Sequence, residues 1–155
     1  MLHLLECPVC DERVSQTSVR LTCHSGHSFD RARQGYITLR TGERTPINAD
    51  SPAMVNAREE LLGSGLYAPI LDHAALNIAE LIEPADANII VDLAGGTGYY
   101  LAGILERTPQ CTGLCIDLSA SALRRAARSH PRAYAVGADL RRKFPIRSRS
   151  ASVVT

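Results

Sequence analysis

Four short apolar runs, each closing on a polar residue or a turn, mark the second half of the chain. Asn88-Ile89-Ile90-Val91-Asp92, Cys111 to Asp117, Ala133 to Gly137 and Ala151 to Thr155 have the length and density of strands in a parallel sheet. Between the first two, Tyr99 to Glu106 carries helical spacing. Between the second and third, Ser119 is placed to cap a helix running to about Ser129. Upstream, Asp50-Ser51-Pro52 is a helix start, and apolar spacing predicts helices over about 52–62 and 67–82, parted by Gly63-Ser64-Gly65. The order β-α-β-α-β-loop-β predicts half of a doubly wound α/β fold. The first 39 residues lack such periods and are rich in Cys, His and turn formers. Residues 40–51 are polar, with Gly and Pro, and read as a linker.

Composition narrows the class. At 155 residues, with 45% hydrophobic and 21% charged side chains, the chain is ordinary for a globular protein. No apolar run approaches the roughly eighteen residues of a membrane span. The start, Met1 to Glu6, lacks the basic and long apolar regions of a signal peptide, so a cytoplasmic address and no membrane partner are expected. A net charge of +1 hides an asymmetry. Residues 124–149 hold nine basic side chains and one acid, Asp139, a block that would suit a polyanion or simply a solvated helix face.

Five cysteines in a chain of this kind point to metal or free thiols rather than disulfides. Cys7-Pro8-Val9-Cys10 is a knuckle, and after twelve intervening residues Cys23 is followed by His27 with a three-residue gap. A short hairpin over 14–21 would bring the two pairs together. Three thiolates and one imidazole match the closed tetrahedral set of a structural zinc site. His24 is the rival fourth ligand, but it directly follows Cys23, whereas Gly26 lets the chain turn back to present His27. Cys111 and Cys115, on one face of an expected strand, read as small core residues.

The second candidate site is Asp92-Leu93-Ala94-Gly95-Gly96-Thr97-Gly98, between a strand and a helix, where backbone amides can approach a ligand. Asp117 ends the next strand nineteen residues past Gly98, where an acid accepts hydrogen bonds from ribose hydroxyls. The Gly-Lys-Ser/Thr of a P-loop is absent. Tyr99, Tyr100 and Leu101 fill the stretch where a dinucleotide fold places its third glycine. Asp92 is unfavourable beside a diphosphate but favourable beside a sulfonium or an amino group. S-adenosylmethionine is therefore the expected cofactor, lying across Gly96, Thr97 and Gly98, with Asp92 beneath it, Asp117 on its ribose and Asp139 near its adenine amino group.

The Cys/Cys/Cys/His knuckle, then Gly35-Tyr36, Asp50-Ser51, Met54, Ala57-Arg58, Gly65, Tyr67 and Asp92 to Tyr100, together resemble the large-subunit (23S) ribosomal RNA guanine-N1 methyltransferases. That family includes enzymes that confer resistance to tylosin- and mycinamicin-type macrolides. The resemblance implies an N-terminal zinc module that helps to recognise RNA, followed by a Rossmann-like class I methyltransferase domain. It implies zinc on Cys7, Cys10, Cys23 and His27, and cofactor contacts at Tyr67, Gly96, Thr97 and Asp117. The expected division is 1–39 zinc module, 40–51 linker and 52–155 the first part of the methyltransferase domain, cut after about the fourth strand. On that expectation the chain is an N-terminal portion that binds 23S rRNA but does not methylate alone. No residue stands out as the catalytic base, and a monomer and a homodimer are both open. The alternative function is a non-catalytic zinc-binding RNA module. One position departs from the family pattern: Ala94 stands for its first turn glycine and would be strained at positive φ.

Overall fold

The computed structural model describes residues 2–17, 19–40, 49–83, 88–142 and 144–155. Most of the expected linker, 41–48, lies outside the described residues. The chain begins with a 3-10 turn, Leu2–Leu4, and a small antiparallel sheet of β1 (Val14–Gln16), β2 (Arg20–Cys23) and β3 (Ser28–Asp30). In register, Val14 faces Cys23 and Leu21 faces Phe29, and all four side chains are buried.

Helices α1 (Pro52–Gly63) and α2 (Ala68–Leu81) follow within two residues of the expected bounds. Ser51 Oγ accepts from Met54 N at 3.3 Å and Pro52 opens α1. The apolar runs then form β5 (Asn88–Leu93), β6 (Cys111–Asp117), β7 (Ala133–Gly137) and β8 (Val153–Val154), with α3 (Tyr99–Arg107) and α4 (Ala120–Ser129) between them. Ser119 caps α4 as expected, accepting from Ala122 N at 3.3 Å. A strand the periodicity did not predict, β4 (Ile37–Thr38), joins the far edge. The parallel order is β4-β7-β6-β5-β8.

The two sheet faces have different covers. The right-handed crossovers β5-α3-β6 and β6-α4-β7 both place their helix on one face. There Ile90, Cys111, Cys115, Ala133 and Ala135 pack with α2 (Leu71, Ala75, Ile78), α3 (Leu101, Ile104, Leu105) and α4 (Leu123, Ala126). Side chains alternate along a strand, so Val91, Leu114, Ile116 and Val136 point the other way. A doubly wound fold would lay helices there. Here the connection from β7 to β8 is irregular, and the N-terminal segment takes the place of helices. Leu2, Leu4, Leu5, Cys7, Val14, Leu21, Phe29, Ile37 and Leu39 share one buried cluster with the sheet. The backbone closes the seam, with Glu6 N donating to Pro145 O at 2.9 Å and Arg147 N to Leu4 O at 2.9 Å.

Candidate functional site

The cysteine-rich pairs meet. Cys7 and Cys10 flank a turn in which Asp11 N donates to Cys7 O at 3.0 Å. Cys23 ends β2, and a second turn follows, with Gly26 N donating to Cys23 O and Cys23 N to His27 O, both at 3.1 Å. Gly26 takes φ +83, the left-handed conformation that lets the chain double back. His27 is therefore turned inward while His24 is exposed. The ligand atoms of Cys7, Cys10, Cys23 and His27 all lie within 4.8 Å of one another. Cys10 Sγ is 3.6 Å from Cys23 Sγ, and His27 Nδ1 is 3.3 Å from Cys23 Sγ and 3.7 Å from Cys7 Sγ.

Those spacings match the edges of a tetrahedron around zinc, which are about 3.8 Å for sulfurs held about 2.3 Å from its centre. Three thiols and an imidazole without a cation would forgo that binding free energy, and as thiolates they would repel. The donor set fits zinc. Glu12 ties the two turns together: its Oε2 accepts from Ser25 N at 2.8 Å and lies 3.5 Å from Cys10 Sγ. The bond from Ser25 N holds the Glu12 carboxyl below its ordinary pKa.

The glycine turn lies at the carboxyl end of β5, beside the point where strand order reverses, the usual ligand crevice of such sheets. Two cavities flank it. The first, about 380 Å³, is lined by Arg58 and Leu61 of α1, Tyr67, Asp92, Gly95 to Thr97, Tyr99 and Tyr100, among others. The second, about 370 Å³, includes Asp117, Leu118, Ala138, Asp139, Leu140 and Arg141. Arg58, Ala94 and Gly96 line both. Six of the seven expected cofactor residues thus border this double cleft. Gly98 lines neither: it packs on α4, where a Cβ would meet Ser129 Oγ at 2.8 Å and Ala126 Cα at 3.1 Å. Gly95 is equally constrained, since its Cβ would come within 2.4 Å of Asp92 Oδ2.

The acids differ in state. Asp92 is 7% exposed, and burial pushes its carboxyl up to about 6, with a hydrogen bond from Thr155 opposing and the Asp117 charge adding. Among the described residues its Oδ2 has no partner, so an acceptor is left unpaired under the turn. Asp117 is fixed in place, accepting from Gly96 N at 2.9 Å on Oδ2 and Ser119 N at 2.7 Å on Oδ1. Asp139 is clamped by Arg141 through Nε at 2.9 Å and Nη2 at 2.8 Å, which holds its pKa at about 2. Ala94 takes φ +54, the strained left-handed case. Neither the lining role of Arg58 nor the fixing of Asp117 by the turn was readable from spacing. Ala57-Arg58 belongs to the pattern that carries the family resemblance, but nothing in that pattern assigns Arg58 a role.

Residues 5–40 match the zinc-ribbon family described as "RlmA, N-terminal". The chain is similar to RlmA-like proteins. Two relatives support this over 99% of the chain. A Micromonospora griseorubida protein, provisionally described as a 23S rRNA (guanine-N(1)-)-methyltransferase, is 39% identical over 170 residues. A Streptomyces fradiae protein named 23S rRNA (guanine(748)-N(1))-methyltransferase is 39% identical over 153. The chain spans about half the length of these relatives, 57% and 54% respectively. A structure from Methanococcus maripaludis, provisionally described as an S-adenosyl-L-methionine-dependent methyltransferase, overlaps 73% of this chain and 52% of its own. Its TM-score is 0.57 at 19% identity, which shows the fold. The chain thus combines an N-terminal segment that matches a zinc ribbon with an α/β fold shared with that structure. Among the described residues, no helix is long and apolar enough to cross a membrane.

Proposed function

We propose that this RlmA-like chain is the zinc-ribbon and cofactor-binding part of an S-adenosylmethionine-dependent enzyme that methylates N1 of a guanine in 23S rRNA. The observation that carries the reading is the pairing of a four-donor metal cluster with an acid-rich cleft around a glycine turn, in a chain 39% identical to two proteins so named. Residues 1–39 form the zinc module, 40–51 connect, and 52–155 carry the cofactor cleft. Cys7, Cys10, Cys23 and His27 hold zinc.

When bound, S-adenosylmethionine supplies an activated methyl on a sulfonium. Tyr67, Asp92, Gly96, Thr97, Gly98, Asp117 and Asp139 form the set that receives it, with Gly98 acting by holding the turn against α4. The unpaired Asp92 oxygen suits a cationic ligand, and the Asp117 carboxylate retains lone pairs for ribose hydroxyls. Leu118, Ala138 and Leu140 give the second cavity apolar walls for a base. Asp139 reaches an adenine amino group only by sharing its carboxylate with Arg141.

The rRNA partner is favoured by a third cavity of about 840 Å³, which adjoins the cleft at Leu62, Thr97 and Tyr99 and is lined by Arg124 and Arg128, with Arg125 paired to Glu59 on the same wall. An enzyme acting on ribosomal RNA works in the cytoplasm, and a homodimer is compatible with this reading. The strained Ala94 favours the second reading, a zinc-binding RNA module without catalysis. Titration calorimetry of the zinc-loaded chain with S-adenosylhomocysteine separates them. Micromolar binding supports the first reading, and no heat at millimolar ligand with retained RNA binding supports the second.

A further inference from the structure

We propose that Arg58 receives the α-carboxylate at the amino-acid end of the sulfonium cofactor, which makes α1 part of the binding site. The inference rests on the cofactor reading above and deepens it. Of the described residues lining the 380 Å³ cavity, Arg58 is the one cation and Asp92 the one carboxylate. The amino-acid end of such a cofactor is a zwitterion, and a cavity offering one charge of each sign is complementary to it. The second cavity has another guanidinium, Arg141, but Asp139 already engages it by two hydrogen bonds.

Arg58 is built for the role by its surroundings. Its stem passes over the glycine turn, with Cδ 3.7 Å from the position of a Gly96 Cβ. Its Nη2 donates to Asp50 Oδ2 at 2.7 Å. Asp50 is in turn held through its carbonyl, which accepts from Ser119 Oγ at 2.8 Å, and Ser119 N donates to Asp117. Asp50 thus aims the guanidinium while occupying one of its five N–H donors, and the rest are left for a carboxylate in the planar, two-pronged geometry that arginine prefers. Half of the side chain is exposed, so a ligand can reach it.

The test is a cycle of calorimetric titrations on the zinc-loaded chain, crossing Arg58→Ala with two ligands. These are S-adenosylmethionine and its decarboxylated form, which keeps the sulfonium and amine but lacks the carboxylate. The parent is expected to prefer the carboxylated ligand by about 10- to 100-fold, the worth of a charge-assisted pair. Arg58→Ala should erase that preference while leaving the affinity for the decarboxylated ligand within about twofold, and Arg58→Lys should restore part of it. A preference that persists in Arg58→Ala overturns the assignment. So does an equal loss for both ligands, which would mark Arg58 as a support of the fold. If the parent binds neither ligand, the cofactor reading itself falls. Unchanged thermal unfolding of Arg58→Ala confirms that the comparison is made on folded protein.

Discussion

Asp92 should make this protein less stable as the pH rises through mild acid, and Asp92→Asn should remove that dependence. The carboxyl is 7% exposed, one oxygen lacks a partner, and its pKa is raised from 3.8 to about 6. With the folded pKa above the unfolded one, the folded state binds more protons between the two values, so stability falls with pH across that window. The shift of about two units corresponds to about 3 kcal/mol above pH 6, at about 1.4 kcal/mol per unit. Integrated between pH 5 and pH 7.5, about half of it remains to be lost, roughly 1 to 2 kcal/mol. Asparagine keeps the shape and cannot ionise. Urea unfolding of parent and Asp92→Asn across this range, both zinc-loaded, isolates the effect because the two proteins differ at this side chain alone. The advantage of the variant should grow by roughly 1 to 2 kcal/mol from pH 5 to pH 7.5. A difference that stays flat would refute the argument that desolvation governs Asp92.

Three further outcomes are expected. The chain should bind one zinc, and Cys23→Ser or chelation should abolish it. Hydrogen exchange should then show lost protection in β5, β6 and β7 as well as in the ribbon, because Leu21 and Phe29 share their cluster with Val91, Leu114, Ile116 and Val136. Protection lost in residues 2–30 alone would count against the shared core. Ala94→Gly relieves a left-handed alanine at φ +54 and should stabilise by about 0.5–1 kcal/mol in thermal unfolding; destabilisation would show that the turn relaxes otherwise. Arg124 and Arg128 line the 840 Å³ cavity and, among the described residues, form no ion pair. Reversing both to Glu should lower the salt slope of RNA binding by roughly 0.7–0.9 per lost phosphate contact, and an unchanged slope would exclude them from the RNA path.

The parts that could be read in the sequence are those with a local physical cause. The strands β5, β6 and β7 are dense apolar runs, Ser51 and Ser119 cap helices, and the four metal donors lie at spacings that two tight turns bring together. The parts that could not be read depend on what lies across the fold. Nothing near Asp139 announces that Arg141 will occupy it, because two residues apart is too close for a pattern and the outcome depends on the turn between them. Arg132, within the basic block, donates to the carbonyls of Leu105, Thr108 and Cys111, so its charge fastens α3 to β6 rather than facing solvent. Arg125 is likewise engaged, with Glu59 and Asn56 of α1. A count of charges along the chain cannot separate such residues from Arg124 and Arg128. The two-residue strand β4 is too short to show a period, yet it joins the ribbon to the edge of the parallel sheet beside β7.

That edge, with the apolar seam beneath it, changes how the two sites relate. Crossover handedness leaves one face of β5, β6 and β7 without helices, and residues from both zinc turns and their strands fill it. Val91 and Asp92 are neighbours on β5 that point to opposite faces, the first into the ribbon seam and the second under the glycine turn. The strand that carries the candidate cofactor acid is therefore packed, one residue away, against the layer that metal organises. Loss of zinc would loosen the cleft through β5 without any contact between metal and cofactor. On this geometry the affinity for S-adenosylhomocysteine should fall when zinc is chelated, and titration of the chelated chain measures it. An affinity unchanged by chelation would mean that the ribbon covers the sheet without supporting it.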